Sequence, residues 1–238
     1  RREPTISEPA TTERRMRFAS CECRWFFEGD VDDQVVDWYR ERRLWKRSYD
    51  LGPLEWPKRA RVDRYLRIPN NRDVGIKWRG EPVEGEGERF EIKGRVASLG
   101  AQTLAPGVTG VVERWIKWAC SGEAMHASNL IDVEKRRLLR KVRLDPQAAD
   151  IEVPVMGAGS RVERGLQIEL TRLSVAGVAH WTLSFEGFPD SSDLREPLIR
   201  SVSLFLRELP DALKLSSEVS FSYPEWLARR QHLASRCG

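Results

Sequence analysis

The chain has 238 residues, 40% hydrophobic and 32% charged, which supplies enough apolar side chain for a sizeable core and argues against disorder of the whole chain. Its 40 basic residues are offset by 36 acidic ones, so a net charge of +4 permits anion binding without demanding nucleic acid or an acidic membrane. No stretch approaches the roughly 18 consecutive apolar residues of a membrane span, and Arg1 to Arg17 lacks the apolar centre of a signal peptide, so a soluble, cytoplasmic protein with no membrane partner is expected.

Residues 1–16 are polar and aperiodic and read as a flexible leader, with 17–238 as a single domain. A strand is expected over Arg17 to Phe27. After Gly29-Asp30, Val35, Val36 and Tyr39 stand at helical spacing within Val31 to Leu44. A Pro-rich link, Gly52 to Pro57, follows. Period-two alternation then predicts strands over Arg61 to Ile68, Val74 to Arg79, Phe90 to Val96, Val111 to Trp118, Val133 to Leu144, Gly165 to Leu173 and His180 to Glu186. Turn signals separate them at Pro69-Asn70-Asn71, Gly80 to Glu88, Asp145-Pro146 and Ala176-Gly177, so antiparallel neighbours are expected. The stripe Leu194, Leu198, Val202, Phe205, Leu206 and Leu209 predicts a packed helix, and Pro224-Glu225-Trp226-Leu227 a last short one. The fold class is mainly β (α+β): an eight-stranded antiparallel barrel or tunnel with flanking helices.

Cys21 and Cys23 lie two apart, too close for an easy mutual bridge, and His126, His180 and His232 are scattered, so reduced thiols and no zinc site are expected. The strands carry a second pattern. Lys77 and Arg79 share a face opposite Ile76 and Trp78; Glu91, Lys93 and Arg95 oppose Phe90 and Ile92; Trp115 and Lys117 oppose Ile116 and Trp118. Lys135, Arg137, Lys141 and Arg143 continue the row, and Glu169, Ser184 and Glu186 occupy the same face of the last two strands. Cations thus dominate early strands and carboxylates later ones. In a closed barrel with apolar faces outward beneath the helices, these charged faces line the interior. Such an interior repels itself without counter-charge, which a polyphosphate supplies to Lys and Arg, while carboxylates hold magnesium through oxygen. Trp78, Trp118 and Trp181 are expected in the core, and His180 shares parity with Ser184 and Glu186.

Asp63-Arg64-Tyr65-Leu66-Arg67, Gly75-Ile76-Lys77-Trp78-Arg79 and Phe90-Glu91-Ile92-Lys93 resemble early strands of the CYTH, or triphosphate tunnel metalloenzyme, superfamily. The resemblance continues through Glu113-Arg114-Trp115-Ile116-Lys117-Trp118, Val133-Glu134-Lys135-Arg136-Arg137 and Trp181-Thr182-Leu183-Ser184-Phe185-Glu186. It implies an eight-stranded tunnel that, in active members, hydrolyses or cyclises triphosphate compounds with a divalent metal. The superfamily's opening E-x-E-x-K strand stands here as Ser20-Cys21-Glu22-Cys23-Arg24, and the late acidic strand as Ser184-Phe185-Glu186, each one acid short.

Three functions follow, in descending order. In the first, a metal-dependent phosphohydrolase, Arg24, Lys77, Arg79, Lys93, Lys117, Lys135 and Arg137 hold a triphosphate-containing small molecule or polyphosphate. Glu22, Glu169 and Glu186 would be its catalytic residues, holding Mg2+ or Mn2+ and orienting water. The second is a non-catalytic phosphate-binding module using the same cations. The third is nucleic-acid binding through Lys135 to Arg143, with exposed Trp stacking on bases.

Overall fold

The computed structural model describes residues 16–47, 51–79, 89–121, 129–145, 147–155, 160 and 162–234. Strands whose side chains alternate between charged and apolar must segregate the two faces, and here closure of the sheet does it. The elements, in chain order, are β1 (Met16–Glu28), α1 (Asp33–Glu41), β2 (Lys46–Arg47), β3 (Arg61–Leu66), β4 (Val74–Arg79), β5 (Arg89–Ala105) and β6 (Val108–Ser121). They continue with β7 (Leu130–Arg143), β8 (Ile151–Val153), β9 (Gly165–Val175), β10 (Val178–Phe188), α2 (Arg195–Phe205) and α3 (Tyr223–Ala234). Eight strands run β7-β3-β4-β5-β6-β1-β10-β9, and β9 pairs back to β7, closing an antiparallel barrel. β8 adds to β7 antiparallel and β2 to β8 parallel, as a short flap outside the ring. This closed barrel is the architecture that the alternating strands and the resemblance both implied.

The larger apolar core lies outside the ring, between its wall and two helices. Leu138, Val142, Ile168, Leu170, Leu183 and Phe185 face outward into a buried cluster with Val35, Val36, Tyr39, Val202 and Phe205. Asp32 caps α1 by accepting from the Gln34 amide at 2.7 Å. The Tyr39 hydroxyl fixes that helix by donating to the Ile168 carbonyl at 2.8 Å. Phe205 packs edge-on to Trp38, Tyr39 and Phe185 and face-on to Trp45. α2 comes close because β10 has Gly187 beneath it: a Cβ there would lie 2.5 Å from Leu198.

α3 does something the sequence pattern did not foretell. Phe26, Tyr65, Val133 and Leu173 share the inward faces of β1, β3, β7 and β9, and they form a second buried cluster with Trp226 and Leu227. The helix therefore closes that end of the barrel, with Trp226 stacked on Phe26 at 4.6 Å. Pro224 sits against Gly75, where a Cβ would approach it to 3.2 Å. Buried His180, inward on β10, meets Arg230 and the edge of Trp226.

Several boundaries differ from the periodicity. β5 and β6 extend well beyond Phe90 to Val96 and Val111 to Trp118 into one long hairpin, because register shifts at Arg95/Ala97, Ser98/Ala101 and Thr103/Ala105 interrupt the period of two. α1 ends at Glu41 rather than Leu44, and α2 at Phe205, three residues before Glu208 takes a φ of 55°. Met16, assigned to the leader, opens β1; the rest of that leader, the turn over 80–88, Pro146 and His126 lie outside the described residues. Trp78 and Trp181 are buried as expected, whereas Trp118 is 42% exposed on an outer face beyond the cluster that α1 and α2 cover. Cys21 and Cys23 are free thiols. Among the described residues no helix is long and apolar enough to cross a membrane.

Phe205→Ala should lower stability by about 3–5 kcal/mol, the usual loss for a large aromatic packed on all sides. Urea unfolding measures it, and a loss under about 1 kcal/mol would contradict this view of the outer core.

Candidate functional site

Inside the ring, strand parity turns charged side chains toward a shared cavity of about 120 Å³. All ten side chains singled out in the sequence line it: Glu22, Arg24, Lys77, Arg79, Lys93, Lys117, Lys135, Arg137, Glu169 and Glu186. Ser20 and Ser184 also face inward and are buried. Arg61, Glu91, Glu113, Tyr65, Trp115 and Tyr223 complete much of the lining.

The wall supplies most of its own counter-charge. Asp63 on β3, fully buried, receives Lys77 at 3.1 Å, Lys135 at 3.1 Å and the Arg61 guanidinium at 3.0 Å. Burial opposes its ionisation, yet Lys135, Lys77 and Arg61 hold its carboxyl well below the usual carboxylate range. Lys77 also reaches Glu91 at 3.1 Å, and Arg79 pairs with the same carboxylate at 2.8 Å. Against its burial, Glu91 is thereby drawn from 4.5 down to about 2. Across the barrel Glu169 lies between Arg137 at 2.9 Å and Arg24 at 3.2 Å, accepts from Thr171 at 2.8 Å, and is likewise held well below its ordinary value despite burial. Lys93 binds both oxygens of Glu22, and Ser20 donates to one of them at 2.5 Å. Lys135 is itself buried, which lowers its pKa; it donates to the Tyr65 hydroxyl at 2.7 Å.

Compensation is incomplete in two places. Glu113, Glu22 and Glu186 stand directly opposite one another across β6, β1 and β10, an arrangement that destabilises unless cations intervene. Glu22 has Lys93 and Glu113 has Arg95 at 2.5 Å, although burial still pushes the Glu113 carboxyl up. Glu186 has no ion-pair partner among the described residues. The second place is cationic. Lys117 faces Lys93 in register on β6 and β5, rests over the Phe18 ring at 5.4 Å, and has no carboxylate within ion-pair distance among the described residues. Eight basic and five acidic side chains line the cavity among the described residues, with Asp63 buried behind them, so the interior stays positive.

Beside Glu22 and Glu91, the early strands carry two more inward carboxylates, Asp63 on β3 and Glu113 on β6. Most inward cations therefore find counter-charge in the wall itself. In the sequence Asp63 stands only within a motif, and its shared parity with Tyr65 is the signal that turns it inward. Nothing local marked Tyr223, which α3 delivers from beyond the last strand.

The basic run Lys135 to Arg143 does not form one surface. Lys135 and Arg137 point inward, and Arg140 is buried outside the ring on Glu152 at 2.8 Å. Lys141 donates to the Ser160 carbonyl, while Arg136 and Arg143 are exposed. As to a divalent metal, Glu22, Glu169 and Glu186 share the cavity, but among the described residues no three His, Cys, Asp or Glu side chains converge as a metal site. Lys93 takes both oxygens of Glu22, and Arg24 and Arg137 take those of Glu169. Glu22 and Glu169 thus serve as internal counter-ions, and Glu186 differs from them in having no ion pair among the described residues.

No protein-family model matches the chain, and no curated protein matches it. Among solved structures it is similar to the S. pombe Pct1 RNA triphosphatase in complex with the Spt5 CTD, at 14% identity and a TM-score of 0.39 over 79% of this chain and 82% of that one.

The carboxyl shifts fix the sign of a pH response. Asp63, Glu91, Glu169 and Glu22 have folded values below their unfolded ones, so their stabilisation is complete above about 4.5 and is lost as pH falls through the folded values, about 2 for Glu91. Glu113, shifted upward, acts in the opposite sense. Urea midpoints should therefore fall between pH 4.5 and 2; a flat midpoint across that range would contradict the network. Asp63→Asn should cost roughly 3–5 kcal/mol by leaving buried Lys135 without its carboxylate, and the added change Lys135→Met should recover part of that loss.

Proposed function

We propose that the barrel binds a triphosphate or another phosphate-rich anion inside its cavity. The observation that carries this reading is the opposed pair Lys93 and Lys117, with Lys117 the one lining cation left without a carboxylate among the described residues. Like charges directly across two strands cost stability, and an anion between them removes the cost. Around the pair, Arg24, Arg79 and Arg137 offer planar guanidinium forks suited to phosphate oxygens, and Lys77 and Lys135 offer compact ammonium charges. The carboxylates already hold these cations in ion pairs at the cavity wall before a ligand arrives, so less side-chain ordering remains for binding to cost. On arrival, phosphate oxygens replace carboxylate oxygens on the cations, an exchange of anions for anions.

A second reading, metal-dependent phosphohydrolysis with Glu22, Glu169 and Glu186 as catalytic residues around Mg2+ or Mn2+, is favoured by Glu186. That carboxylate is in register with Glu22 and lacks an ion-pair partner among the described residues. Because the carboxylates do not form a cage, binding stands first and no step is drawn through a metal. Nucleic acid stands third, since the basic run is divided between two faces of β7.

Inorganic tripolyphosphate at 100 times its Kd should raise stability by about 2.7 kcal/mol, read as an upward Tm shift at low salt. Lys117→Ala should shrink the shift without stranding any carboxylate. No shift with tripolyphosphate, or the same shift in Lys117→Ala, would sink the proposal. Phosphate release with magnesium or manganese decides between the readings: none is expected for a binding module, whereas rapid release lost in Glu186→Gln would move hydrolysis into first place.

A further inference from the structure

We propose that Tyr223, carried into the barrel by α3, is a direct ligand of the bound anion, its hydroxyl donating to an oxygen of the phosphate group nearest the closed end. This deepens the anion-binding reading and rests on it. Tyr223 lines the cavity, and its hydroxyl is buried with no hydrogen-bond partner among the described residues. A buried polar group without a partner is costly, so native structures rarely keep one unless something absent completes it.

The ring itself has ample reason to be there. It stacks on Tyr65 at 5.4 Å with the planes 17° apart, takes the Lys135 ammonium at 3.8 Å from its centroid and the Arg24 guanidinium at 4.7 Å. A phenylalanine would make every one of these contacts. What tyrosine adds is a single donor pointing into charged surroundings. The groups whose charges act most on that hydroxyl are Arg24, Glu169, Asp63 and Lys77, already paired with each other as Arg24 with Glu169 and Lys77 with Asp63. Burial pushes its pKa to about 12, so it stays protonated and able to donate across the neutral range.

The position is also held rigidly. Trp226 stacks on Phe26, Pro224 abuts Gly75, and Arg230 meets His180, which together seat α3 in the barrel end and set the ring's direction. A donor fixed in this way marks where the ligand stops. The C-terminal helix then acts as both stopper and contact, so anion affinity depends on a segment outside the barrel strands.

Calorimetric titration of inorganic tripolyphosphate into the full chain, its Tyr223→Phe variant and its Lys117→Ala variant tests this. Tyr223→Phe should weaken binding about tenfold or more, the usual scale for losing a hydrogen bond to a charged group, while its Tm without ligand stays level or rises because an unsatisfied hydroxyl has gone. Equal affinity in Tyr223→Phe beside weakened binding in Lys117→Ala would overturn the role of Tyr223 and leave the anion-binding reading intact. Weaker binding together with a lowered ligand-free Tm would assign the residue to packing and overturn it as well. An unaltered protein that does not bind tripolyphosphate would overturn both.

Discussion

A charged side chain turned into a barrel is costly unless it meets an opposite charge, because taking an ion from water costs several kcal/mol that a close, well-placed partner offsets. That requirement organises the interior. Asp63 gathers Arg61, Lys77 and Lys135, Glu91 gathers Lys77 and Arg79, and Glu169 gathers Arg24 and Arg137. Lys77 belongs to two of these groups, so β3, β4 and β5 are joined through one ammonium, and Lys135 on Asp63 adds β7. Such pairs add little net stability compared with apolar packing of the same volume. Breaking one is expensive, which ties each strand's register to its neighbours.

With charge inside, apolar burial has to occur elsewhere. The outer wall of β7, β9 and β10 receives α1 and α2, and Phe205 fills the space between them. The fully buried charge on that side is paired. Arg140 is buried against Glu152 and donates to the Tyr39 carbonyl, linking the flap strand β8, the barrel and α1. The barrel is thus held from outside by hydrophobic packing and given its register from inside by ion pairs.

α3 breaks this division, since it brings apolar side chains to the inward face of four strands and shuts one end. The cavity that remains is short and positively charged, with an aromatic floor. Lys117 and Glu186 are the two lining charges without an ion-pair partner among the described residues, one of each sign. Their opposite leanings account for both functional readings, since an uncompensated cation invites a polyanion and an uncompensated carboxylate invites a metal. The cationic excess of the lining decides which comes first.

Alternation within single strands was legible in the sequence, because side-chain direction in a strand follows from parity alone and needs no partner. From it came the eight strands and the inward set from Glu22 to Glu186, while helical spacing gave the outer helices. Where parity failed, as through the bulges of β5, strand length was lost with it. Pairing between inward charges was not legible: Asp63 and Lys135 are far apart in the chain, and only the pairing of β3 with β7 sets them 3.1 Å apart. The same holds for α3. Its local pattern specifies an amphipathic helix, and whether such a helix covers a wall or enters a mouth depends on the shape of the surface left exposed. Tertiary structure decided that by leaving Phe26, Tyr65, Val133 and Leu173 facing inward with only a helix to cover them.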